Sequence, residues 1–269
     1  MADQRTYPHG VPCWVDTEQP DPEEASRFYD ALFGWHFEDA IPPGVPGSYL
    51  VATLDGHDVA AVAPGEGPAS WSTYIACEDA DRAAETVVAA GGTVLAPPRE
   101  AGPGGRTATC VDPDGAPFRL WQARRRLGAQ LVNVPDTWNF SDLHTADPER
   151  ALAFYAAVFG WEAELHSGSG MVRLPGYGDH LASSVDPDIY ERQAGAPPGF
   201  ADVVAGAVTD ERPAWRVRFT VADRDGSVAT AERHGAVVLS SADTVWTREA
   251  VIRDPQGAEL TLSQFTPPD

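Results

Sequence analysis

Two aspartates are the residues of this sequence whose type and setting best suit acid/base chemistry. Asp16 follows Trp14 by two positions and Asp142 follows Phe140 by two, so an extended strand would place each carboxylate on the same face as a ring. Burial beside aromatic rings raises the pKa of a carboxyl group, which then exchanges protons closer to neutrality. We therefore predict Asp16 and Asp142 as the catalytic candidates if the protein is an enzyme.

Nucleophilic chemistry has little support in the sequence. All 19 basic residues are Arg, so no side-chain amine is present to form a Schiff base, and no G-x-S-x-G motif occurs. The three cysteines, Cys13, Cys77 and Cys110, are widely separated and form no C-x-x-C pair, which predicts neither a disulfide framework nor a zinc knuckle. This cysteine usage is typical of a reducing compartment.

Charge and hydropathy exclude several partners. The net charge of -21 on 269 residues would repel a phosphate backbone, so we expect no nucleic-acid partner. The N-terminal residues lack a secretory pattern, and no apolar run reaches the roughly 18 residues that span a bilayer. We expect a cytoplasmic protein with no membrane partner, either a monomer or a homodimer.

A repeat organises the chain. Residues 21–38 (DPEEASRFYDALFGWHFE) match residues 147–164 (DPERALAFYAAVFGWEAE) at 11 of 18 positions, and VDPDGAPFRLWQ from Val111 corresponds to RDPQGAELTLSQ from Arg253. This predicts one domain over residues 1–123, a linker over 124–136 and a second domain over 137–269. The second copy has about 18 extra residues before Trp215, which we place in a loop or lid near 186–213 because that stretch is rich in Pro and Gly.

Each copy has the pattern of two βαβββ modules. Asp21, Pro22 and Glu24 form a helix start, and Gly34 is suited to the helix end. Apolar residues at helical spacing between them predict one buried face, and alternating segments before and after the helix predict strands. The whole chain should therefore contain four such modules.

The motif DPxxAxxFYxxxFGW, closed by DPxG before a last strand, resembles the vicinal oxygen chelate superfamily of glyoxalases, bleomycin-resistance proteins and extradiol dioxygenases. The resemblance covers nearly the whole chain apart from the linker and the insertion. It implies an α+β fold in which each pair of βαβββ modules forms an incomplete barrel with a concave cup. The family includes metal enzymes and metal-free binders, so the fold leaves the function open.

The resemblance also implies where a metal would lie. Enzymes of the family hold a divalent ion with four cup-facing strand residues, which fall here on Trp14, Ala60 or Ala61, Ser72 and Arg119 in the first copy. In the second copy they fall on Phe140, Ala182 or Ser183, Arg216 and Thr261. None of these is a normal metal ligand, so we predict no cofactor. The alternative, reached by shifting the register, is Fe, Mn or Zn in the second domain, with His144 and Glu259 as fallback ligands beside Asp142.

With those strand faces, each cup is lined by rings and a few charges. The predicted ligand-binding residues are Trp14, Tyr74, Arg119, Trp121, Trp138, Phe140, Arg216 and Arg218. Rings supply contact area and charges fix orientation, which suits a flat, partly polar molecule. The alternative is that Arg119 with Asp16, and Arg216 with Asp142, only neutralise buried charge.

The leading interpretation is metal-free binding of a small aromatic or polycyclic molecule, such as a natural product or drug. The alternative is a lyase, isomerase or dioxygenase of the vicinal oxygen chelate type, which is metal-dependent or uses acid/base chemistry at Asp142 or Asp16. Which of the two copies is functional stays open at this point.

Overall fold

A computed structural model describes residues 5–166 and 169–267. Each of the four modules begins with a strand that is followed directly by a long helix. The strands are β1 (Pro12–Gln19), β2 (His36–Asp39), β3 (Leu50–Leu54), β4 (His57–Pro64), β5 (Ser70–Ala76), β6 (Thr93–Ala101), β7 (Gly105–Val111), β8 (Pro117–Ala123), β9 (Trp138–Thr145), β10 (Glu162–His166), β11 (Ser169–Arg173), β12 (Val203–Thr209), β13 (Ala214–Thr220), β14 (Val237–Asp243), β15 (Thr247–Arg253) and β16 (Glu259–Phe265). The helices are α1 (Pro22–Phe33), α2 (Ala80–Ala89), α3 (Pro148–Phe159), α4 (Tyr177–Ala182), α5 (Ile189–Arg192) and α6 (Arg224–Arg233), and a short 3₁₀ turn covers Phe200–Asp202. None of these helices, within the described residues, is both long and apolar enough to span a bilayer.

The predicted signals mark the ends of α1. The Asp21 carboxylate accepts a hydrogen bond of 2.9 Å from the backbone N–H of Glu24, which satisfies one of the free donors at the helix start. Gly34 has a left-handed conformation (φ 71°), and its N–H bonds to the carbonyl oxygen of Asp30. The same arrangement recurs in α3, with Asp147 at the start and Gly160 (φ 74°) at the end.

The strands form two eight-stranded mixed sheets, one for each sequence copy. Their orders are β2-β3-β4-β1-β5-β8-β7-β6 and β10-β11-β12-β9-β13-β16-β15-β14. In each module the first strand pairs in parallel with the last strand of the same module. Asp16 thus lies opposite Ala61, and Asp142 lies opposite Gly206. The four βαβββ modules and the α+β class predicted from the sequence are confirmed.

The chain divides into two compact units that cut across the repeat. Unit 1 consists of Met1–Cys13, Thr73–Gly128 and Ser141–Trp215, and unit 2 of Trp14–Ser72, Ala129–Phe140 and Arg216–Asp269. Each unit therefore takes one module from each copy. Within unit 1, α2 packs against α3, and within unit 2, α1 packs against α6.

A buried hydrogen-bond network joins the two modules of unit 2. Oδ2 of Asp254 accepts from the Tyr29 hydroxyl at 2.8 Å and from Nε2 of Gln19 at 2.7 Å, and the indole N–H of Trp71 donates to the Tyr29 hydroxyl at 3.1 Å. Oδ1 of Asp254 accepts from three backbone N–H groups of its own turn, including that of Ala258. A buried carboxylate needs such partners because its water is lost.

Unit 1 repeats this network with the copies exchanged. Oδ2 of Asp112 accepts from the Tyr155 hydroxyl at 3.1 Å, and the indole of Trp215 donates to the same hydroxyl at 2.8 Å. Burial raises the pKa of Asp112, although its hydrogen bonds act in the opposite direction. The FY pair and the DPxG motif of the sequence therefore hold modules of different copies together.

The extra residues of the second copy lie only partly where the sequence suggested, because residues 186–202 of the predicted loop fall between β11 and β12 and the rest do not. Residues 203–209, inside the stretch predicted as a loop near 186–213, form β12 and pair with β9 and β11. The additional segment is instead the region between β11 and β12, which folds into α4, α5 and the 3₁₀ turn. Ala182 and Ser183 consequently lie at the end of α4, and Gly206 is the residue equivalent to Ala61. The predicted linker, residues 124–136, contains no helix or strand.

Candidate functional site

The cup face of a strand is defined here as the face opposite the one that packs against the helices. On β1, in unit 2, Trp14 and Asp16 share this face and are 4% and 0% exposed. Tyr49, which precedes β3, connects them: its hydroxyl oxygen accepts from the Trp14 indole at 2.9 Å and donates to Oδ2 of Asp16 at 3.0 Å. Two of the predicted site residues are thus linked by a third that was not predicted.

The position of Tyr49 depends on Asp39 at the end of β2. Oδ1 of Asp39 accepts from the backbone N–H of Tyr49 at 3.0 Å and from that of Ile41 at 2.9 Å, so one carboxylate closes the loop between β2 and β3. The Tyr49 and Ile41 hydrogen bonds lower the pKa of Asp39 because they favour the charged carboxylate.

A second cluster lies in unit 1 and contains three of the predicted ligand-binding residues. Arg119 stands opposite Tyr74 in the β5–β8 pair and donates to its hydroxyl at 2.7 Å, with the guanidinium carbon 5.3 Å from the ring centroid. Trp121 meets Tyr74 edge to face, with 6.1 Å between ring centroids, and its indole N–H bonds to the carbonyl oxygen of Arg126. The cluster combines a fixed cation with two rings.

Asp142 lies on the cup face of β9 in unit 1, directly opposite Gly206 on β12. A Cβ atom added at Gly206 would overlap Oδ1 of Asp142, so the missing side chain of the glycine provides the space that the carboxylate occupies. At the equivalent place in the first copy, Asp16 stands opposite Ala61, and its carboxylate is bonded to Tyr49 instead. The two predicted catalytic aspartates therefore have different surroundings.

His144, the fallback metal ligand, follows Asp142 by two positions on the same face of β9. Its Nδ1 lies 3.1 Å from Oδ2 of Asp210, just after β12, and the two side chains are 14% and 23% exposed. The other fallback ligand, Glu259, is in unit 2 and forms an ion pair with Arg253, its neighbour across the β15–β16 pair, at 2.9 Å.

The remaining predicted ligand-binding residues belong to unit 2. Trp138 is buried, whereas Phe140 and Arg216 are half-buried. Arg218 forms an ion pair with Glu249, whose Oε1 also accepts from the Thr247 hydroxyl at 2.6 Å. Arg218 is thus held by its own protein neighbours.

The residues at the positions where the family would hold a metal do not fit a divalent ion. Trp14, Ala61, Ser72 and Arg119 in the first copy, and Phe140, Gly206, Arg216 and Thr261 in the second, include no carboxylate, imidazole or thiolate. Within residues 5–166 and 169–267, no three His, Cys, Asp or Glu side chains gather closely enough to share an ion.

Sequence reasoning missed two residues of these clusters. Tyr49 is the last of the ten residues between β2 and β3, a stretch with no periodic pattern, so nothing in the sequence aligned it with Asp16. Asp210 was missed because β12 was assigned to a loop. In the structure Gly65 is the equivalent of Asp210, because each donates its backbone N–H at 2.9 Å to the last residue of a first strand, Gln19 or Thr145.

Comparisons with known proteins agree with this architecture. Residues 19–120 match the model of the Glyoxalase/Bleomycin resistance protein/Dioxygenase superfamily, and residues 140–263 match that of a glyoxalase-like domain. The chain is 36% identical over 275 residues to a Mycobacterium tuberculosis protein named "Putative glyoxylase CFP32", with 99% of each chain covered. It is 34% identical over 274 residues to the anthracycline biosynthesis protein DauV of Streptomyces sp. strain C5, covering 95% of this chain and 94% of that protein.

Solved structures with the same fold have low sequence identity. The Mn(II)-bound glyoxalase from Novosphingobium aromaticivorans has a TM-score of 0.61 at 14% identity, covering 95% of this chain and 82% of that one. The 2,3-dioxygenase LapB from Pseudomonas sp. KL28 has a TM-score of 0.61 at 12% identity, covering 97% and 96%. Together with the repeated motifs and the four βαβββ modules, these matches show that the chain is a tandem member of the glyoxalase/bleomycin-resistance/dioxygenase family, the vicinal oxygen chelate superfamily.

Proposed function

We propose that the protein binds a flat, polycyclic aromatic molecule on its cup faces without the help of a metal ion. The observation that carries this proposal is the hydrogen-bonded chain from Trp14 through Tyr49 to Asp16. A single hydroxyl fixes two rings and a buried carboxylate, so little conformational entropy remains to be lost when a ligand stacks on them. Rings with a small number of oriented polar groups are the usual lining of a small-molecule site.

The cluster of Tyr74, Arg119 and Trp121 in unit 1 also combines aromatic rings with a charged group, which here is a cation. Arg119 is held against the hydroxyl and the ring of Tyr74. A guanidinium group in this position can bind an oxygen anion or a carbonyl of a planar ligand. The neighbouring Trp121 ring supplies contact area.

The relatives support an aromatic ligand. DauV and DnrV, each 34% identical to this chain over 95% of its length, are named as anthracycline biosynthesis proteins. Anthracyclines are polycyclic aromatic compounds, and a related ring system would match the rings of the two clusters. The metal-free part of the proposal is supported by the donor chemistry, since the family's metal positions hold aromatic, small and Arg side chains.

The test uses 1,2-dihydroxyanthraquinone, a planar three-ring dye, titrated into the purified protein in the presence of EDTA while tryptophan fluorescence is recorded. We expect saturable quenching, a smaller quenching amplitude in Trp14→Phe, and no such change in the matched control Trp246→Phe, because Trp246 is an exposed residue of the β14–β15 turn. Elemental analysis of protein purified without chelators is expected to find Fe, Mn and Zn far below one per chain. Absence of saturable quenching would contradict the aromatic ligand, and a stoichiometric metal whose removal abolishes binding would contradict the metal-free mode.

A further inference from the structure

The hydrogen bond between His144 and Asp210 fixes where the imidazole carries its proton. An ionised carboxylate only accepts, so the hydrogen lies on Nδ1 of His144, 3.1 Å from Oδ2 of Asp210. The lone pair of the neutral ring is then on Nε2. If Nε2 takes up a proton, the adjacent carboxylate stabilises the resulting imidazolium. A base oriented by a second group in this manner is the common arrangement for proton transfer in enzymes.

The pair is placed where a bound ligand can reach it. His144 lies on the cup face of β9 with Asp142, and 14% of its side chain is exposed. Asp210 is anchored independently, because its backbone N–H bonds to the carbonyl oxygen of Thr145 at 2.9 Å. Oδ1 of its carboxylate accepts from the backbone N–H of Arg212 at 3.0 Å, which leaves Oδ2 directed at the ring.

The first copy of the repeat lacks this pair, although the same backbone hydrogen bond follows its first strand. Glu18 is equivalent to His144, and Gly65 is equivalent to Asp210. A Cβ atom at Gly65 would lie 2.9 Å from the Cβ of Glu18, so that site has no room for an orienting side chain. The copies thus differ at both positions, and the imidazole–carboxylate pair belongs to the second copy.

We propose that His144, oriented by Asp210, accepts the proton of a phenolic hydroxyl on the aromatic ligand, which makes the second copy the one that performs proton transfer. This inference rests on the proposed function for its ligand class. The O–H bond of the phenol breaks, its electron pair stays on the oxygen as a phenolate, and an N–H bond forms at Nε2 of His144. No oxidant, metal or further reactant is needed. The phenolate and the imidazolium remain as an ion pair in a half-buried setting, where their attraction is stronger than in water.

The experiment uses the same dye, because deprotonation of 1,2-dihydroxyanthraquinone shifts its visible absorption to longer wavelength. It is carried out with EDTA, at a pH where the free dye is neutral. The dye bound to the wild-type protein is expected to show the anion spectrum. In His144→Gln and in Asp210→Asn the ratio of anion to neutral dye should fall by about tenfold or more, while fluorescence quenching still reports binding. His57→Gln, a matched change at an exposed histidine of unit 2, is expected to behave as the wild type.

The two readouts separate the two proposals. If the dye quenches fluorescence but its bound spectrum stays neutral, or if His144→Gln retains the anion spectrum, the proton acceptor is refuted and the aromatic ligand stands. If the dye does not bind, both proposals fail. A ¹⁵N NMR spectrum of the wild-type histidine side chains covers the case of a variant that does not fold: it should show His144 protonated on Nδ1, and a neutral ring protonated on Nε2 would overturn the inference.

Discussion

The hydroxyl of Tyr29 donates a hydrogen bond of 2.8 Å to Oδ2 of Asp254, although 225 positions separate the two residues along the chain. Both residues are essentially buried, with Tyr29 at 0% and Asp254 at 4% exposure. The bond joins the helix of the first module to the DPxG turn of the last one. In this chain, the tyrosine of the FY pair and the aspartate of the DPxG motif therefore hold modules together.

Tyr29→Phe should lower the free energy of unfolding by about 1.5–3 kcal/mol, because a buried carboxylate loses one of its donors while the ring volume is retained. Tyr155→Phe should act similarly in unit 1, where Tyr155 donates to Asp112. Urea unfolding followed by circular dichroism measures both. The control is Tyr190→Phe, whose hydroxyl bonds to Asp179 at the surface; equal effects of all three changes would show that the buried networks add nothing specific.

Tyr49→Phe should weaken dye binding by about tenfold, and it should also lower the free energy of unfolding, because the buried Asp16 carboxylate loses a donor. The change removes the donor to Asp16 and the acceptor of the Trp14 indole together, and the loss of hydrogen bonds to a charged group corresponds to about 1.5–3 kcal/mol at most. Isothermal titration of the dye into both proteins gives the comparison. An unchanged dissociation constant would mean that this chain of hydrogen bonds does not shape the ligand site.

Asp39→Ala should speed hydrogen exchange at the backbone amides of Ile41 and Tyr49, which lose their common acceptor. NMR exchange measurements test this, with Asp30→Ala on the exposed face of α1 as the control. The pH dependence has a definite sign: the pKa of Asp39 is lowered in the folded protein from 3.8, so its contribution is present above that value. It is lost as the pH falls through the lowered pKa. Protection of the two amides that is unaffected by Asp39→Ala would contradict this account.

The three cysteines should be unreactive in the native protein. Burial raises the pKa of Cys77 and of Cys110 to about 12, and it raises that of Cys13 well above its usual value. A colorimetric thiol assay at about pH 8 should therefore detect no rapid reaction before denaturant is added and all three thiols afterwards. Rapid labelling of any cysteine without denaturant would show that its strand opens in the folded state.

Much of the fold follows from local patterns, whereas the clusters depend on distant segments. The caps of α1 at Asp21 and Gly34 are set by neighbouring residues and were predicted. The hairpin turn at Asp55 and Gly56, which both have positive φ, is equally local. Alternation along β1 also placed Trp14 and Asp16 on one face. Tyr49 reaches Asp16 only through a loop closed by Asp39, and no periodicity encodes that closure.

The wrong assignment of β12 to a loop has a different cause. The stretch that ends in VVAGAVT is bordered by Pro and Gly, so composition favoured a loop there, and the pairing of Gly206 with Asp142 became visible only in the sheet. Asp210 was hidden by the same misassignment. Long-range pairing overrides local composition at such a strand, because its hydrogen bonds and its buried face come from β9 and β11.

The exchange of modules between the two sequence copies has a consequence for how such a chain can evolve after its duplication. Each compact unit contains one module from each sequence copy. Loss of the folded structure of either copy would therefore disrupt both units. Selection must therefore preserve the helix, the FY pair and the closing aspartate in both copies. The strand positions that face away from the helices do not take part in this packing. Glu18 and His144, which differ between the copies, occupy such equivalent positions.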